Sequence, residues 1–217
     1  MSSYQAVRPS AQQRVIAYID GFNLYYGLRE KGWRRYYWLN LWQLVNSLLA
    51  PYQVCVCVKY FTALIRDPGV DPDKAKRQRT YIEALRTLPQ VQIFYGHYLS
   101  KPMQCRNCHA QWMCQEEKKT DVNIATEMLT DAFAGACDTQ LLISADSDLV
   151  PPVEKILAMF PKSRIIVAFP PARSSGDLCR LASHCFTIGR GRLSKSQFPD
   201  QVRKRDGFVL TRPAKWR

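Results

Sequence analysis

The chain alternates apolar runs of strand length with segments whose apolar residues recur at helical spacing. The apolar runs lie at residues 15–19, 54–64, 91–95, 140–143 and 165–167. The amphipathic segments between them include residues 39–49, 73–88, 122–133 and 150–160. Because a helix between two strands normally returns the chain so that the strands run parallel, this pattern predicts an α/β fold. We expect three layers, with helices on both faces of a central, mostly parallel sheet.

The length of the chain favours a single domain. Its 217 residues, 47% of them hydrophobic, can bury one substantial core. We place this domain at residues 14–192, after a flexible N-terminal segment at residues 1–13. Residues 193–217 carry more basic than acidic side chains and are predicted to be a basic C-terminal tail. Such a tail can become ordered on nucleic acid or can remain a solvated tail without a role.

The charge balance favours a polyanionic partner. The chain has 31 Lys and Arg residues against 18 Asp and Glu residues, a net charge of +13. Basic side chains also keep a surface solvated, so charge alone does not decide between the two explanations. The apolar runs are much shorter than the ~20 residues that cross a bilayer, and the first residues lack the apolar stretch of a secretory signal. We therefore expect a cytoplasmic protein without a membrane span, and leave a homo-oligomer open.

Four aspartates occupy positions where ligands collect in parallel α/β sheets. Asp20 directly follows the first apolar strand, while Asp146 and Asp148 follow the strand at residues 140–143. Asp121 lies in the first turn of the helix before that strand. Strand ends and helix starts of this kind converge at the carboxyl edge of the sheet. Each acid alone fits a turn or a helix cap, but four at one edge predict a shared site.

Carboxylates that are packed together repel one another unless a cation joins them. Mg²⁺ or Mn²⁺ is suited to such oxygen ligands and to substrate phosphate. A bound metal ion can activate water and neutralise a phosphodiester, so the acids predict phosphodiester hydrolysis. We assign Asp20, Asp121 and Asp146 as metal ligands and Asp148 as a ligand or a water-orienting base. The supporting groups that position oxygen atoms are predicted to be Asn23, Ser144 and Ser147.

Three motifs around these acids resemble the NYN domain family, a branch of the PIN-like ribonucleases. They are residues 18–25 (YIDGFNLY), residues 119–125 (KTDVNIA) and residues 144–151 (SADSDLVP). The resemblance runs from about residue 15 to residue 188. It implies a Rossmann-like, PIN-like parallel sheet of about five strands and a metal-dependent endoribonuclease activity with Mg²⁺ or Mn²⁺. All the positions that correspond to the acids of the family are Asp in this chain.

A cysteine-rich segment at residues 97–118 predicts a zinc-binding insertion. Cys105 and Cys108 form a Cys-x-x-Cys turn, and Cys114 follows six residues later. Zinc prefers four nitrogen or sulfur ligands, so His97 or His109 would complete the set. The alternative is a reduced loop without metal. The remaining cysteines lie in apolar surroundings and are expected to be reduced core residues.

Cations and aromatic rings are interleaved after the first motif, at residues 29–38. Such a mixture suits single-stranded RNA, although tryptophan and tyrosine near a helix are more often packing residues. We expect RNA as the partner of the chain. The predicted RNA contacts are Arg34, Arg35, Lys101, Arg106 and Lys119.

Two other classes of function compete with the ribonuclease hypothesis. One is a catalytically silent RNA- or protein-binding module on the same fold, which the intact acids disfavour. The other is a phosphatase that uses an aspartate nucleophile, which the basic charge and the missing cap domain disfavour. The chain has no Gly-x-x-x-x-Gly-Lys loop, which argues against a nucleoside triphosphatase.

Overall fold

A computed structural model describes residues 12–65, 71–104 and 106–217, with the backbone alone at residues 99–100 and 112–117. The strands in this part of the chain are β1 (Gln13–Asp20), β2 (Gln53–Thr62), β3 (Val91–Tyr95), β4 (His97–Gln104), β5 (Gln111–Lys118), β6 (Thr139–Ile143), β7 (Arg164–Phe169), β8 (His184–Thr187), β9 (Gln201–Arg203) and β10 (Val209–Thr211). The helices are α1 (Gly21–Glu30), α2 (Leu41–Leu48), α3 (Lys74–Leu85), α4 (Thr120–Phe133), α5 (Val150–Met159), α6 (Gly176–Leu181) and α7 (Arg190–Lys195). Short 3₁₀ turns span Arg34–Tyr36, Ser147–Leu149 and Ala214–Trp216.

The central sheet has six strands in the order β3-β2-β1-β6-β7-β8. Each neighbouring pair in this sheet is parallel. The chain builds the sheet outward from β1 to β3 on one side and then from β6 to β8 on the other. The order therefore reverses between β1 and β6, which is where parallel sheets bind ligands. The predicted α/β fold with a mostly parallel sheet is confirmed.

Strand β1 contributes to two separate apolar clusters, one on each face of the sheet. Val15, Ala17 and Ile19 belong to the cluster that α1, α2 and α3 cover. Ile16 and Tyr18 belong to the cluster that α4, α5 and α6 cover. Because side chains alternate along a strand, a strand that is buried throughout must serve both faces. The three predicted layers follow from this arrangement.

Residues 193–217 pack on the domain, which differs from the expected tail. Phe198, Val202, Leu210 and Trp216 are all buried in the cluster beneath α1 and α2. Strands β9 and β10 pair in an antiparallel hairpin between these contacts. The physical reason is that four apolar side chains are spaced through a segment whose composition is otherwise basic. Their burial outweighs the charge pattern that suggested a solvated tail.

Strands β4 and β5 form a separate antiparallel hairpin that lies within the predicted zinc insertion. Their register pairs His97 with Lys118 at one end and Gln104 with Gln111 at the other. Strand residues advance about 3.3 Å each, so His97 lies roughly 23 Å along the strand from Gln104 and the turn that contains Cys108. One zinc ion cannot be shared across that distance, and His97 is therefore excluded as a partner of Cys108.

The rest of the predicted zinc set is only partly described. Cys108 is an exposed free thiol in the turn, and His109 beside it is exposed with a positive φ of 56°. Cys105 and the side chain of Cys114 lie outside the described residues. A zinc site that uses His109 therefore stays a prediction.

One cysteine pair differs from the expectation of reduced core thiols. Cys179 in α6 and Cys185 in β8 are joined by a disulfide, with a Cα–Cα distance of 5.4 Å. The short connection between α6 and β8 brings the two residues together, which the sequence spacing did not reveal. Cys55 is a buried free thiol, in agreement with the expectation of a reduced core residue.

In the part of the chain that the structure describes, the helices are too short or too polar to span a bilayer.

Candidate metal centre

Asp20 ends β1 and caps the first turn of α1. Its Oδ1 accepts a hydrogen bond from the backbone N–H of Asn23 at 2.9 Å, and its Oδ2 accepts one from the Ser144 hydroxyl at 2.9 Å. The residue is only 2% exposed. Burial raises the pKa of Asp20 to about 6, because the hydrogen bonds only partly offset the cost of removing the charge from water. Repulsion from Asp146 raises the pKa in the same direction.

Gly21 lets α1 start directly against the neighbouring strand. A β-carbon at this position would lie 2.6 Å from the carbonyl oxygen of Phe61 and 2.7 Å from the hydroxyl of Tyr60. Real β-carbons do not approach other atoms so closely. The carbonyl of Phe61 belongs to the backbone of β2 and cannot shift easily. Only glycine therefore allows the sharp exit from β1 that points Asp20 at the sheet edge.

The end of β6 supplies the second acid and is tied to the first. The Ser144 hydroxyl, which donates to Asp20, also accepts the backbone N–H of Asp146 at 3.1 Å. The side-chain oxygen of Asn23 accepts the backbone N–H of Ala145 at 3.2 Å. Asn23 and Ser144 thus join the two strand ends, as expected of supporting groups. Ser147 is exposed, and its side chain makes no hydrogen bond to this cluster among the described residues.

Asp121 reaches the same place from the first turn of α4. One oxygen atom from each of Asp20, Asp121 and Asp146 lies within 4.8 Å of the other two. These residues come from three elements that are up to 126 positions apart in the chain. The structure therefore brings together three of the four predicted acids, and we call this set the aspartate triad.

Asp148 lies next to the aspartate triad but is not part of it. Its side chain is exposed, and its backbone N–H donates to Oδ1 of Asp146 at 3.0 Å. In this arrangement Asp148 supports the turn Ser147–Leu149 through its backbone. The bond also occupies one oxygen of Asp146 and thereby orients that carboxylate.

The donor set of the aspartate triad suits a hard divalent cation. All three ligand groups are carboxylates, and Mg²⁺, Mn²⁺ and Ca²⁺ prefer oxygen. Asp20 and Asp146 have no Lys, Arg or His side chain as an ion-pair partner among the described residues. A cation held between them would lower the electrostatic cost that the raised pKa of Asp20 reflects.

The predicted RNA contacts are spread over several surfaces. Arg34 and Arg35 lie in the turn after α1, where Arg35 sits 5.8 Å from the centroid of the Tyr36 ring. Lys101 and Arg106 belong to the β4–β5 hairpin and its turn, and both are exposed. Lys119 is exposed just before α4, two residues from Asp121. The described geometry therefore puts Lys119 near the aspartate triad and Arg106 at the hairpin tip.

The aromatic residues at positions 33–38 divide between packing and an open cavity. Trp38 is fully buried and donates its indole N–H to the carbonyl of Pro199 at 2.8 Å, so its role is structural. Tyr37, by contrast, lines a cavity of about 350 Å³ that also contacts Gly21, Phe22 and Arg34. Sequence reasoning missed this cavity because its walls come from α1, β2, α3, β4 and the C-terminal turn. The mixture of cations and rings after the first motif was the available signal.

Comparisons with known proteins agree with this geometry at the level of the fold and family. A crystal structure of a protein of unknown function from Vibrio parahaemolyticus superposes with a TM-score of 0.55, covering 88% of this chain and 98% of that one. At 20% sequence identity, this likeness concerns the fold.

A curated relative is 6-hydroxy-3-succinoylpyridine 3-monooxygenase HspA of Pseudomonas putida. It is 28% identical over 244 aligned positions, which cover 94% of this chain and 75% of the relative. The NYN domain family matches residues 14–189, a range that contains all three members of the aspartate triad. Since this match covers most of the chain, the protein belongs to the NYN domain family.

Proposed function

We propose that this protein is a divalent-metal-dependent endoribonuclease whose active site is the aspartate triad. The observation that carries the proposal is that Asp20, Asp121 and Asp146 offer oxygen atoms within 4.8 Å of one another. They do so at the sheet edge where the strand order reverses. Membership of the NYN domain family, whose fold is that of a nuclease, supports the same function.

The residues of the triad have distinct tasks in this proposal. Asp20, Asp121 and Asp146 would hold Mg²⁺ or Mn²⁺. The bound metal supplies Lewis acidity toward a phosphodiester and lowers the pKa of water. Asn23 and Ser144 keep the two strand-end carboxylates oriented through the hydrogen bonds described above. Asp148, which is exposed beside the triad, keeps Asp146 oriented through its backbone N–H, and its carboxylate has a minor role in this proposal.

RNA is the proposed substrate because it is a polyanion and the protein has a net positive charge, although the triad itself is negatively charged. The chain carries a net charge of +13, while the aspartate triad concentrates negative charge at one point. A polyanion is therefore attracted by the protein as a whole, and its phosphate groups are compatible with the triad only when a cation is present. We expect the protein to cleave RNA in the cytoplasm.

The decisive experiment compares the wild type with a variant in which Asp20 and Asp146 are both changed to Asn. Labelled single-stranded RNA is incubated with each protein in Mn²⁺, Mg²⁺ or EDTA, and the products are resolved by electrophoresis. The matched control is Asp200→Asn, which removes an exposed carboxylate that is not part of the triad. We expect metal-dependent cleavage by the wild type and the control only. Equal cleavage by the double variant would assign the activity to another site or to a contaminant.

A silent RNA-binding module is the alternative outcome of the same experiment. In that case the wild type would retard RNA in a gel without cleaving it in any metal. The intact triad argues for turnover, because a module that only binds phosphate gains nothing from three buried or half-buried carboxylates.

Chemistry on a small heteroaromatic compound is a second candidate function. It is favoured by the name of the Pseudomonas putida relative and by the cavity of about 350 Å³ that extends from Gly21 and Phe22. A 6-hydroxy-3-succinoylpyridine of the kind that this name describes can be offered with oxygen and a reductant. Mass spectrometry would then show whether the substrate gains an oxygen atom.

A further inference from the structure

Aromatic rings form a large part of the lining of the cavity next to the aspartate triad. It has a volume of about 350 Å³ and extends from Gly21 and Phe22, the two residues that follow Asp20. Because Gly21 and Phe22 directly follow Asp20 in the chain, the cavity lies close to the candidate metal centre. The aromatic residues of the lining include Tyr25, Tyr26, Tyr37, Tyr60, Tyr98 and Trp216.

These rings are held in place by one another. The ring centroids of Tyr25 and Tyr37 are 5.0 Å apart, and those of Tyr37 and Trp216 are 5.7 Å apart. Such tilted and edge-to-face contacts fix ring orientation before any ligand arrives. A rigid aromatic wall favours a flat, unsaturated ligand, because stacking costs little ordering of the side chains.

The charged groups of the cavity are predominantly basic. Arg77 and Lys215 both bind the carboxylate of Asp71, with Lys215 at 2.8 Å. Among the described residues, Arg29, Arg34 and Lys74 line the same cavity without an ion pair to a carboxylate. Cations that are not neutralised beside aromatic rings suit a ligand that is both flat and anionic.

We propose that this cavity binds one unpaired nucleobase together with a phosphate of the same strand. The inference rests on the proposed ribonuclease function and adds a nucleotide-binding cavity to its active site. A cavity near the lower end of the ~300–1,000 Å³ typical of ligand sites holds one nucleotide unit but not a duplex. Paired bases are inaccessible to such a wall, whereas an unstacked base can enter it.

The position of the cavity relative to Asp20 gives the binding a direction along the strand. A base seated against Tyr26 and Tyr37 would leave its backbone to run toward Gly21 and Phe22, the lining residues that follow Asp20 in the chain. The adjoining phosphodiester is then presented to the aspartate triad. Arg34, which is exposed and lines the cavity, is placed to bind the phosphate of the seated nucleotide.

The test measures binding separately from cleavage. Nucleoside monophosphates are titrated into the full chain in EDTA by calorimetry, so that no metal and no turnover contribute. The variants Tyr26→Ala and Arg34→Ala remove one ring and one cation of the cavity. Their matched controls are Tyr52→Ala, at a similarly exposed ring outside the cavity, and Arg164→Ala, at an exposed arginine of β7 that does not line the cavity.

We expect Tyr26→Ala and Arg34→Ala each to weaken mononucleotide binding about tenfold, as loss of a stacking ring or a phosphate contact does. Both controls should bind as the wild type does, and Asp20→Asn should still bind. In cleavage assays with metal, the wild type should prefer single-stranded RNA over the same sequence in a duplex.

The possible failures are distinguishable. Absence of mononucleotide binding, or equal loss in the variants and their controls, would overturn the nucleobase site even if RNA is cleaved. Stronger binding of a pyridine carboxylate that lacks phosphate would overturn it in favour of a small-metabolite site. Mononucleotide binding without RNA cleavage in any metal would instead remove the ribonuclease function and leave the binding site standing.

Discussion

The molecule buries carboxylates in two neighbouring places, and among the described residues a lysine pairs with Asp131 in one place, whereas Asp20 in the other has no ion pair. Both places use β1 and α4. The first is formed by Tyr18, Lys59, Glu127 and Asp131, which we call the buried ion network. The second is the aspartate triad, which begins two residues further along β1 at Asp20.

The buried ion network satisfies its charges internally. Lys59 places its Nζ 2.6 Å from Asp131 and 2.7 Å from Glu127, and Tyr18 donates to the same Asp131 oxygen at 2.6 Å. Burial by itself lowers the pKa of Lys59, but the hydrogen bonds to both carboxylates more than offset this and raise it. The lysine therefore stays charged, and the network pins α4 against β1 and β2.

Asp20, the most buried residue of the aspartate triad, has no such internal cation among the described residues. Asp20 receives hydrogen bonds from Asn23 and Ser144 but no ion pair among the described residues, and its pKa is raised to about 6. The difference shows that the fold can pair a buried acid when only stability is required. The absence of an ion pair at Asp20 among the described residues is compatible with the proposed metal site.

The largest expected effect separates the two places by activity. Asp20→Asn should reduce metal-dependent RNA cleavage about 1,000-fold or more, because removing a charged ligand costs at least as much as removing a single transition-state contact. Asp131→Asn should leave the cleavage rate per folded molecule within a few-fold of the wild type. Rates are measured under single-turnover conditions in Mn²⁺. Equal losses in both variants would mean that the network also serves catalysis directly.

Next in size is the effect of removing the internal cation. Lys59→Met should lower the free energy of unfolding by about 3–5 kcal/mol, because Asp131 and Glu127 would remain buried without a counter-charge. Urea denaturation followed by circular dichroism measures this. In Lys59→Met combined with Asp131→Asn, part of the loss should be recovered. No destabilisation in the single variant would contradict the structural role of the network.

A somewhat smaller effect is expected on the free energy of unfolding as the pH changes. The pKa of Asp20 is about 6 in the folded chain and 3.8 as a reference value. The folded state therefore holds the proton more tightly, so stability in EDTA falls as the pH rises from about 4 through 6. The full cost is about 3 kcal/mol above pH 6.

Asp20→Asn should abolish this contribution, and saturating Mn²⁺ should offset it in the wild type by binding the folded state. Thermal unfolding at a series of pH values, with EDTA or Mn²⁺, provides the measurement. A wild type and an Asp20→Asn variant with the same pH dependence would show that Asp20 is ionised at no cost.

The smallest expected effect concerns the acid beside the triad. Asp148→Asn should slow cleavage by less than about tenfold, since the backbone N–H that orients Asp146 is retained in the variant. Its rate is compared with that of Asp20→Asn under the same conditions. A loss as large as that of Asp20→Asn would make Asp148 a metal ligand or an essential base, as the sequence analysis proposes.

Much of the site could be predicted because it depends on local patterns. The apolar run before Asp20 and the run before Asp146 each identify a strand, and parallel strands end at one edge. The helical spacing after Asp121 places that acid in a first turn. These three aspartates could be predicted without knowing the strand order, because the carboxyl ends of parallel strands all lie at the same edge of the sheet.

Features that depend on distant partners escaped prediction. The disulfide of Cys179 with Cys185, the burial of Trp216 and the lysine that neutralises Asp131 each require knowing which elements pack together. The exclusion of His97 from a site with Cys108 depends on the register of β4 and β5, which spacing along the chain does not reveal. Composition suggested a solvated tail at residues 193–217, although its scattered apolar residues are enough to dock it.

The sequence by itself determined the layer architecture and the acids of the candidate metal centre, because hydrophobic periodicity and strand-end position are local properties. Only the tertiary structure decided that Asp131 pairs with Lys59, whereas Asp20 has no ion pair among the described residues. Lys59 and Asp131 are 72 positions apart, and the walls of the aromatic cavity run from Gly21 to Trp216. Electrostatic energy and cavity shape depend on distances in space, and those distances exist only once the elements have packed.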